Sequence, residues 1–448
     1  MKIYEIKDNI PLISEYINNN EEIKGFSKDT RTIAVGEVYV AIKGESFDGN
    51  DFIIDAYKNG AVLAISDNPN DEIISYVKEN KKNLIIVEDS IKALQELAIY
   101  KRNLYDIPVV AITGSAGKTS TKDMVANVLA QKYKVLKTPG NLNNHIGLPL
   151  TILSLDDHEV LVVEMGMNHF GELSLLSKIA KPTIALITNV GTAHIGILGS
   201  RENILKAKLE ILDGLCAGGQ VILNYDNDLL NKEAINLKNI ITYGINNKSD
   251  FQGKDIKLEA LTSSFKYNDE EISLNISGEH FIYNALAAIA VGTTLKVPIE
   301  DIKKGLLTFQ ISSNRMQIIK TTKYTLIDDS YNANYDAVIY CLKYLNSLNK
   351  RKIAVLGDML ELGEHSIKLH QKVGEKINEL NLDLVVTVGN DSLNINKKIT
   401  NTLNYHFDNN KDTINFLKET LHKGDYVLIK ASHGLNFKEI VEELKINE

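Results

Sequence analysis

Tryptophan is absent from this chain, cysteine occurs twice and proline seven times in 448 residues. Two cysteines far apart in sequence, Cys216 and Cys341, supply neither a disulfide framework nor a thiolate zinc site. Scarce proline excludes Pro-rich spacers, so domains must be joined by short linkers. No uncharged apolar run reaches the ~18 residues that a membrane span needs. The opening Met-Lys-Ile-Tyr-Glu-Ile-Lys-Asp-Asn carries charge where a signal peptide needs an apolar core, so a cytoplasmic location is expected. A basic excess is also missing. Lys and Arg number 50 against 58 Asp and Glu, a net charge of −8, which argues against nucleic acid as a partner. What remains, 44% hydrophobic and 24% charged, is the composition of a globular protein long enough for two to four domains.

Three stretches repeat one grammar of short β-branched strand, polar turn and amphipathic helix, which implies parallel α/β layers. The first, 1–105, holds strand candidates at 38–42, 62–65 and 84–87. The second, 106–312, holds them at 109–112, 160–163, 184–188 and 221–224. The third, 313–448, holds them at 325–327, 353–356, 384–388 and 426–429.

The strand at 109–112 runs into Thr113-Gly114-Ser115-Ala116-Gly117-Lys118-Thr119-Ser120 ahead of a helical segment. Gly114 and Gly117 permit the tight turn that aims backbone N–H groups at an anion, Lys118 adds a point charge and Thr119 a hydroxyl placed for magnesium. It is a phosphate cradle, and a short one: the usual Walker pattern requires a glycine where Ile112 stands. Ligands of parallel sheets gather at the carboxyl ends of strands. The strand at 160–163 ends at Glu164, and that at 184–188 runs into Asn189-Val190-Gly191-Thr192-Ala193-His194. A carboxylate and an imidazole beside a triphosphate are natural magnesium ligands, although either could be a solvated loop residue.

Residues 202–215 have helical periodicity that puts Lys208 on one face with Ile204, Ile211, Leu212 and Leu215. Such a lysine either snorkels to water or is held buried with a lowered pKa, able to react with carbon dioxide. Asn141 to Pro149, with Asn143 and Asn144, is either a turn or a loop over the phosphates or the acceptor. Asp328 to Asn334 and Gly357 to Gly363 each follow an apolar strand and read equally as capping turns or as sites. Asn247-Lys248-Ser249-Asp250 matches a guanine-reading tetrapeptide, but no Asp-x-x-Gly lies between it and Lys118, so a polar loop is expected.

Together these motifs resemble the Mur ligases over nearly the whole chain, and within that family the branch that adds a dipeptide. The resemblance rests on Asp29-Thr30-Arg31, Phe47-Asp48-Gly49, the short phosphate loop, the Asn-rich loop, Glu164-Met165-Gly166, Asn189 to His194, Ala207-Lys208-x-Glu210-Ile211, Asp328 to Asn334 and Leu356 to Gly363. The fold it implies is α/β in three domains: a small N-terminal α/β module, a central P-loop-type mostly parallel sheet with helices on both faces, and a C-terminal Rossmann-like domain. The activity it implies is ATP-dependent amide ligation through an acyl phosphate, with UDP-N-acetylmuramoyl-tripeptide and D-alanyl-D-alanine as partners, by a monomer that binds neither nucleic acid nor membrane.

By the same resemblance, Gly114, Ser115, Gly117, Lys118, Thr119 and Ser120 hold the phosphates. Thr119 and Glu164 hold one magnesium ion, and His194 with a carbamylated Lys208 holds a second; Lys118, Lys208 and His194 are the catalytic set. Asn284 meets adenine, and Arg315 and Asp329 meet the γ-phosphate and ribose. Ser27, Thr30 and Arg31 take the UDP group, while Asn143, Asn144, Asn332 and Asn334 meet substrate. The chain departs from the family pattern at Tyr335-Asp336-Ala337 and at Lys430-Ala431-Ser432-His433, both in the domain expected to receive the dipeptide. Other readings are a nucleotide-gated binding protein or kinase, or a ligase adding a single amino acid to the muramoyl peptide or glutamate to folate.

Overall fold

A computed structural model describes residues 1–312 and 314–445. Its N-terminal part is a five-stranded sheet in the order Ser14–Tyr16, Asn83–Ile86, Leu63–Ser66, Glu37–Val40, Gly25–Ser27. Only the first of these runs antiparallel to its neighbour. Helix Ser90–Asn103 turns Ala93, Leu94, Leu97 and Ala98 inward, and Arg102 Nε donates to Ala180 O at 2.9 Å. That helix is the seam with the central part, and the two share one apolar core.

The central sheet has seven strands, all parallel, in the order Phe251–Gln252, Ile240–Gly244, Gln220–Asn224, Ile184–Ile187, Val109–Thr113, Val160–Glu164, Val135–Lys137. Val109–Thr113 and Val160–Glu164 are buried at every residue, as strands covered on both faces must be, which is why they read as near-continuous apolar runs ending in a polar residue. The strands ending at Ile187, Thr113 and Glu164 are neighbours, so the three loops singled out from the sequence emerge side by side. A three-stranded antiparallel meander, Lys254–Leu258, Ser263–Tyr267 and Glu270–Leu274, adds to the expected parallel layer. Its second turn places Asn268 and Asp269 at φ 45° and 65°, the left-handed pair that a tight hairpin demands.

The third part is a six-stranded sheet ordered Gln317–Lys320, Thr325–Asp328, Tyr426–Lys430, Lys352–Gly357, Leu384–Val388, Leu403–Phe407. Only the first strand is antiparallel. Asp358, just past one strand end, accepts from Ser392 N at 2.7 Å and Asn390 N at 3.1 Å. A carboxylate thus ties the turn after Leu384–Val388 to the neighbouring strand end.

Candidate active site

The loop after Val109–Thr113 needs glycine for two reasons. A Cβ at Gly114 would meet Thr188 Oγ1 at 1.8 Å, and Gly117, at φ 79°, starts helix Lys118–Leu129 from the left-handed region. The loop is fastened by the neighbouring strand's exit: Asn189 O accepts from Ser115 N at 3.1 Å, Asn189 Oδ1 from Ala116 N at 2.9 Å, and Ser115 Oγ from Gly191 N at 2.9 Å. Asn189 is a part of the site to which sequence reading gave no role. Lys118 Nζ donates to Gly114 O at 2.8 Å, and burial holds its amine below the usual lysine range.

Glu164 is 2% exposed and accepts from Thr119 Oγ1 at 2.7 Å and from Asn143 Nδ2 at 2.8 Å. Hydroxyl, carboxylate and amide therefore meet where helix, strand and Asn-rich loop converge. Asn144 borders the same cavity as Glu164, while its Oδ1 accepts from Gly147 N at 2.8 Å ahead of helix Gly147–Leu153. His194 and Glu164 line one cavity with Lys118, about 720 Å³ in volume, which also reaches Ser115, Gly117, Thr119 and Ser120. Gly114 does not border it.

Lys208 is 1% exposed, so it does not snorkel. It is not among the residues that border the cavity, and its amine is pushed well below the lysine range by burial first and by the Lys118 charge second. The expected helix is shorter than its periodicity suggests: Arg201–Leu209 gives way to a 3-10 turn, Glu210–Leu212. Glu210 serves structure, accepting from Gly171 N at 2.9 and 2.8 Å at the start of helix Glu172–Ala180.

Asn284, buried on helix Glu279–Thr294, borders the cavity with its Oδ1 taken by Thr121 Oγ1 at 3.0 Å and no partner for Nδ2 among the described residues. Arg315 stacks 4.0 Å over the Tyr331 ring. Asp329 is engaged within its own domain, paired with Lys430 Nζ and accepting from Met316 N at 3.0 Å and Cys341 Sγ at 3.0 Å. Lys430 also donates to Asn332 O at 2.9 Å. Ser27, Thr30 and Arg31 border a different part of the molecule; Ser27 Oγ accepts from Asp29 N at 3.1 Å and Arg31 pairs with Asp29 at 2.6 Å. The Asn247–Asp250 segment closes on Asp226, whose carboxylate takes the N–H groups of Ile245, Asn246 and Asn247 at 2.6–2.9 Å.

The third domain is docked onto this floor. Asn334 Nδ2 donates to Ser115 O at 3.2 Å, Asp336 Oδ2 accepts from Thr192 N at 2.7 Å, and His194 Nδ1 lies 2.7 Å from Glu361 Oε2. Glu361 lies in the Gly357–Gly363 run and Asp336 in the departure at 335–337, but the sequence gives neither a role of its own, because only docking brings them to the central loops.

The comparisons agree in direction. The Mur ligase family catalytic domain is matched over residues 22–102, the Mur ligase middle domain over 112–292, and the Mur ligase glutamate ligase domain over 314–433. The UDP-N-acetylmuramoyl-tripeptide–D-alanyl-D-alanine ligase of Bacillus subtilis (strain 168) is 38% identical, over 94% of this chain and 93% of its own. Its Escherichia coli (strain K12) counterpart is 34% identical over 94% and 93%. The crystal structure of MurF from Acinetobacter baumannii superposes with a TM-score of 0.87 at 32% identity, covering 95% of this chain and 94% of that one. MurF from Thermotoga maritima in complex with ADP gives 0.82 at 31%, covering 94% and 97%. By sequence and by architecture, the chain belongs to the Mur ligase family.

Proposed function

We propose that this protein is the ATP-dependent ligase that joins D-alanyl-D-alanine to UDP-N-acetylmuramoyl-tripeptide, a cytoplasmic step of peptidoglycan precursor synthesis. The observation that carries the reading is the meeting of Lys118, Thr119, Glu164 and His194 in one cavity at the carboxyl ends of three adjacent strands. The near-full-length likeness to relatives bearing that name supplies the substrate pair.

The tripeptide carboxylate oxygen attacks the γ-phosphorus of ATP, the bond to the β-phosphate oxygen breaks, and ADP leaves. The dipeptide amine then adds to the acyl phosphate carbonyl, loses a proton, and expels inorganic phosphate. Phosphoryl transfer asks little covalent help of a protein, so positioning and charge neutralisation carry the rate. The 114–117 backbone and Lys118 neutralise the phosphates, Asn284 Nδ2 offers a donor to the base, and the docked third domain keeps water from the acyl phosphate.

The oxygen pair of Thr119 and Glu164 suits a hard cation. No group of three His, Cys, Asp or Glu side chains among the described residues could hold a metal by itself, so phosphate oxygens and water would complete its shell. Thr119 and Glu164 would hold one magnesium ion and His194 with a carbamylated Lys208 a second, and such ions supply positive charge to the transferring phosphoryl group. Lys208 fits that modification because burial favours the neutral form of its amine, the form that reacts with carbon dioxide. Its nitrogen would bond the carbon of carbon dioxide and release a proton to water, leaving an anionic carbamate. The departures at 335–337 and 430–433 lie in the domain expected to receive the dipeptide, where Tyr331 is edge-on to His433 at 6.1 Å. No helix of the described residues is long and apolar enough to cross a membrane.

The test is a phosphate-release assay across acceptors and amines. Release that requires both the muramoyl tripeptide and D-alanyl-D-alanine supports the reading. Release without the dipeptide, or a preference for a free amino acid or folate, rejects it.

A further inference from the structure

Glu361 comes from the third domain, in the segment Gly357 to Gly363, yet its carboxylate lies 2.7 Å from Nδ1 of His194 in the central domain. That carboxylate oxygen faces a buried ring nitrogen that has no hydrogen-bond partner among the described residues. Both residues sit in the left-handed region, His194 at φ 63° and Glu361 at φ 64°, a conformation that costs any residue with a Cβ. The surrounding junction is built to hold them there. Gly196 N donates to Glu361 O at 3.1 Å, and a Cβ at Gly196 would strike Gly363 N at 2.4 Å, so the backbones touch where only glycine fits. Glu361 also lines the cavity that holds Lys118. Imidazole ligands of metals are commonly oriented by a carboxylate at the ring nitrogen that does not bind the ion.

We propose that Glu361 is a positioning residue that fixes the His194 ring, so that the second ion site is complete only when the third domain is docked. The inference rests on the reading of His194 as an ion ligand, and the experiment separates the two. Manganese(II) binding is measured by electron paramagnetic resonance on the full chain with the β,γ-methylene analogue of ATP. The parent is expected to bind two ions, one tightly and one less so. Glu361→Ala weakens the second by about 10- to 100-fold and leaves the first unchanged. Glu361→Gln, which keeps the shape, weakens it less. His194→Ala with Glu361→Ala does no further harm than His194→Ala alone, as two residues acting through one contact require. If Glu361→Ala holds both ions as the parent does while His194→Ala loses one, the positioning role is overturned and the ligand reading survives. If the double variant loses the product of the two single effects, Glu361 acts on its own and the inference is wrong. If His194→Ala keeps both ions, the underlying reading fails.

Discussion

At the scale of single residues, burial sets the protonation of the site. Lys118 and Lys208 are both held below the ordinary amine range by desolvation, and His280, which faces the cavity beside Tyr340, is pushed down to about 4 for the same reason. His280 therefore stays neutral in the folded chain where the unfolded chain would protonate. Below its ordinary value of 6.5 the unfolded state binds the extra proton, so this residue's contribution is full above that value and is lost as pH falls toward about 4. Denaturation midpoints measured down that window should fall less steeply in His280→Phe than in the parent. Lys208 gives a second prediction. Carbon-13 bicarbonate should produce a carbamate resonance that is missing from Lys208→Arg, and an identical spectrum from both chains would remove the modification from the account.

Among the elements, what could be read from sequence was decided by how each is buried. The strands ending at Thr113, Glu164 and Ile187 were legible because both of their faces are covered, leaving continuous apolar runs that stop at polar residues. The meander at 254–274 alternates exposed and buried residues and turns on Asn268-Asp269, a signal present but overshadowed by the parallel pattern around it. Lys208 fell on the apolar stripe as its spacing requires, yet the helix ends at Leu209, which leaves Leu212 and Leu215 only half-buried. Ser27, Thr30 and Arg31 carry no geometry that joins them to the cavity, so their assignment to UDP stands on resemblance alone. Glu210, quoted as part of a motif, proves to cap a neighbouring helix. Its carboxylate faces the positive end of Glu172–Ala180, so Glu210→Ala should cost about 1 kcal/mol in urea unfolding. An unchanged midpoint would mean that the cap is worth nothing in solution.

Across the whole molecule, the docking of one domain on another makes the site. Asn334, Asp336 and Glu361 reach the phosphate loop and the 189–194 loop from the third domain. Crowding the junction should separate the domains without unfolding either. Gly196→Ala places a Cβ 2.4 Å from Gly363 N and 2.5 Å from Leu362 C, backbone atoms that cannot yield. Scattering should show an expanded particle with an unchanged denaturation midpoint and turnover lowered by at least roughly tenfold, since misplacement by about an ångström is costly in such sites. The central claim, that this assembly activates a carboxylate by phosphoryl transfer, is tested most directly by following oxygen. Tripeptide labelled with oxygen-18 in its terminal carboxylate is incubated with ATP and D-alanyl-D-alanine, and the released phosphate is examined by mass spectrometry. One labelled oxygen per phosphate is the result the account predicts; phosphate carrying no label while the amide bond still forms would contradict it.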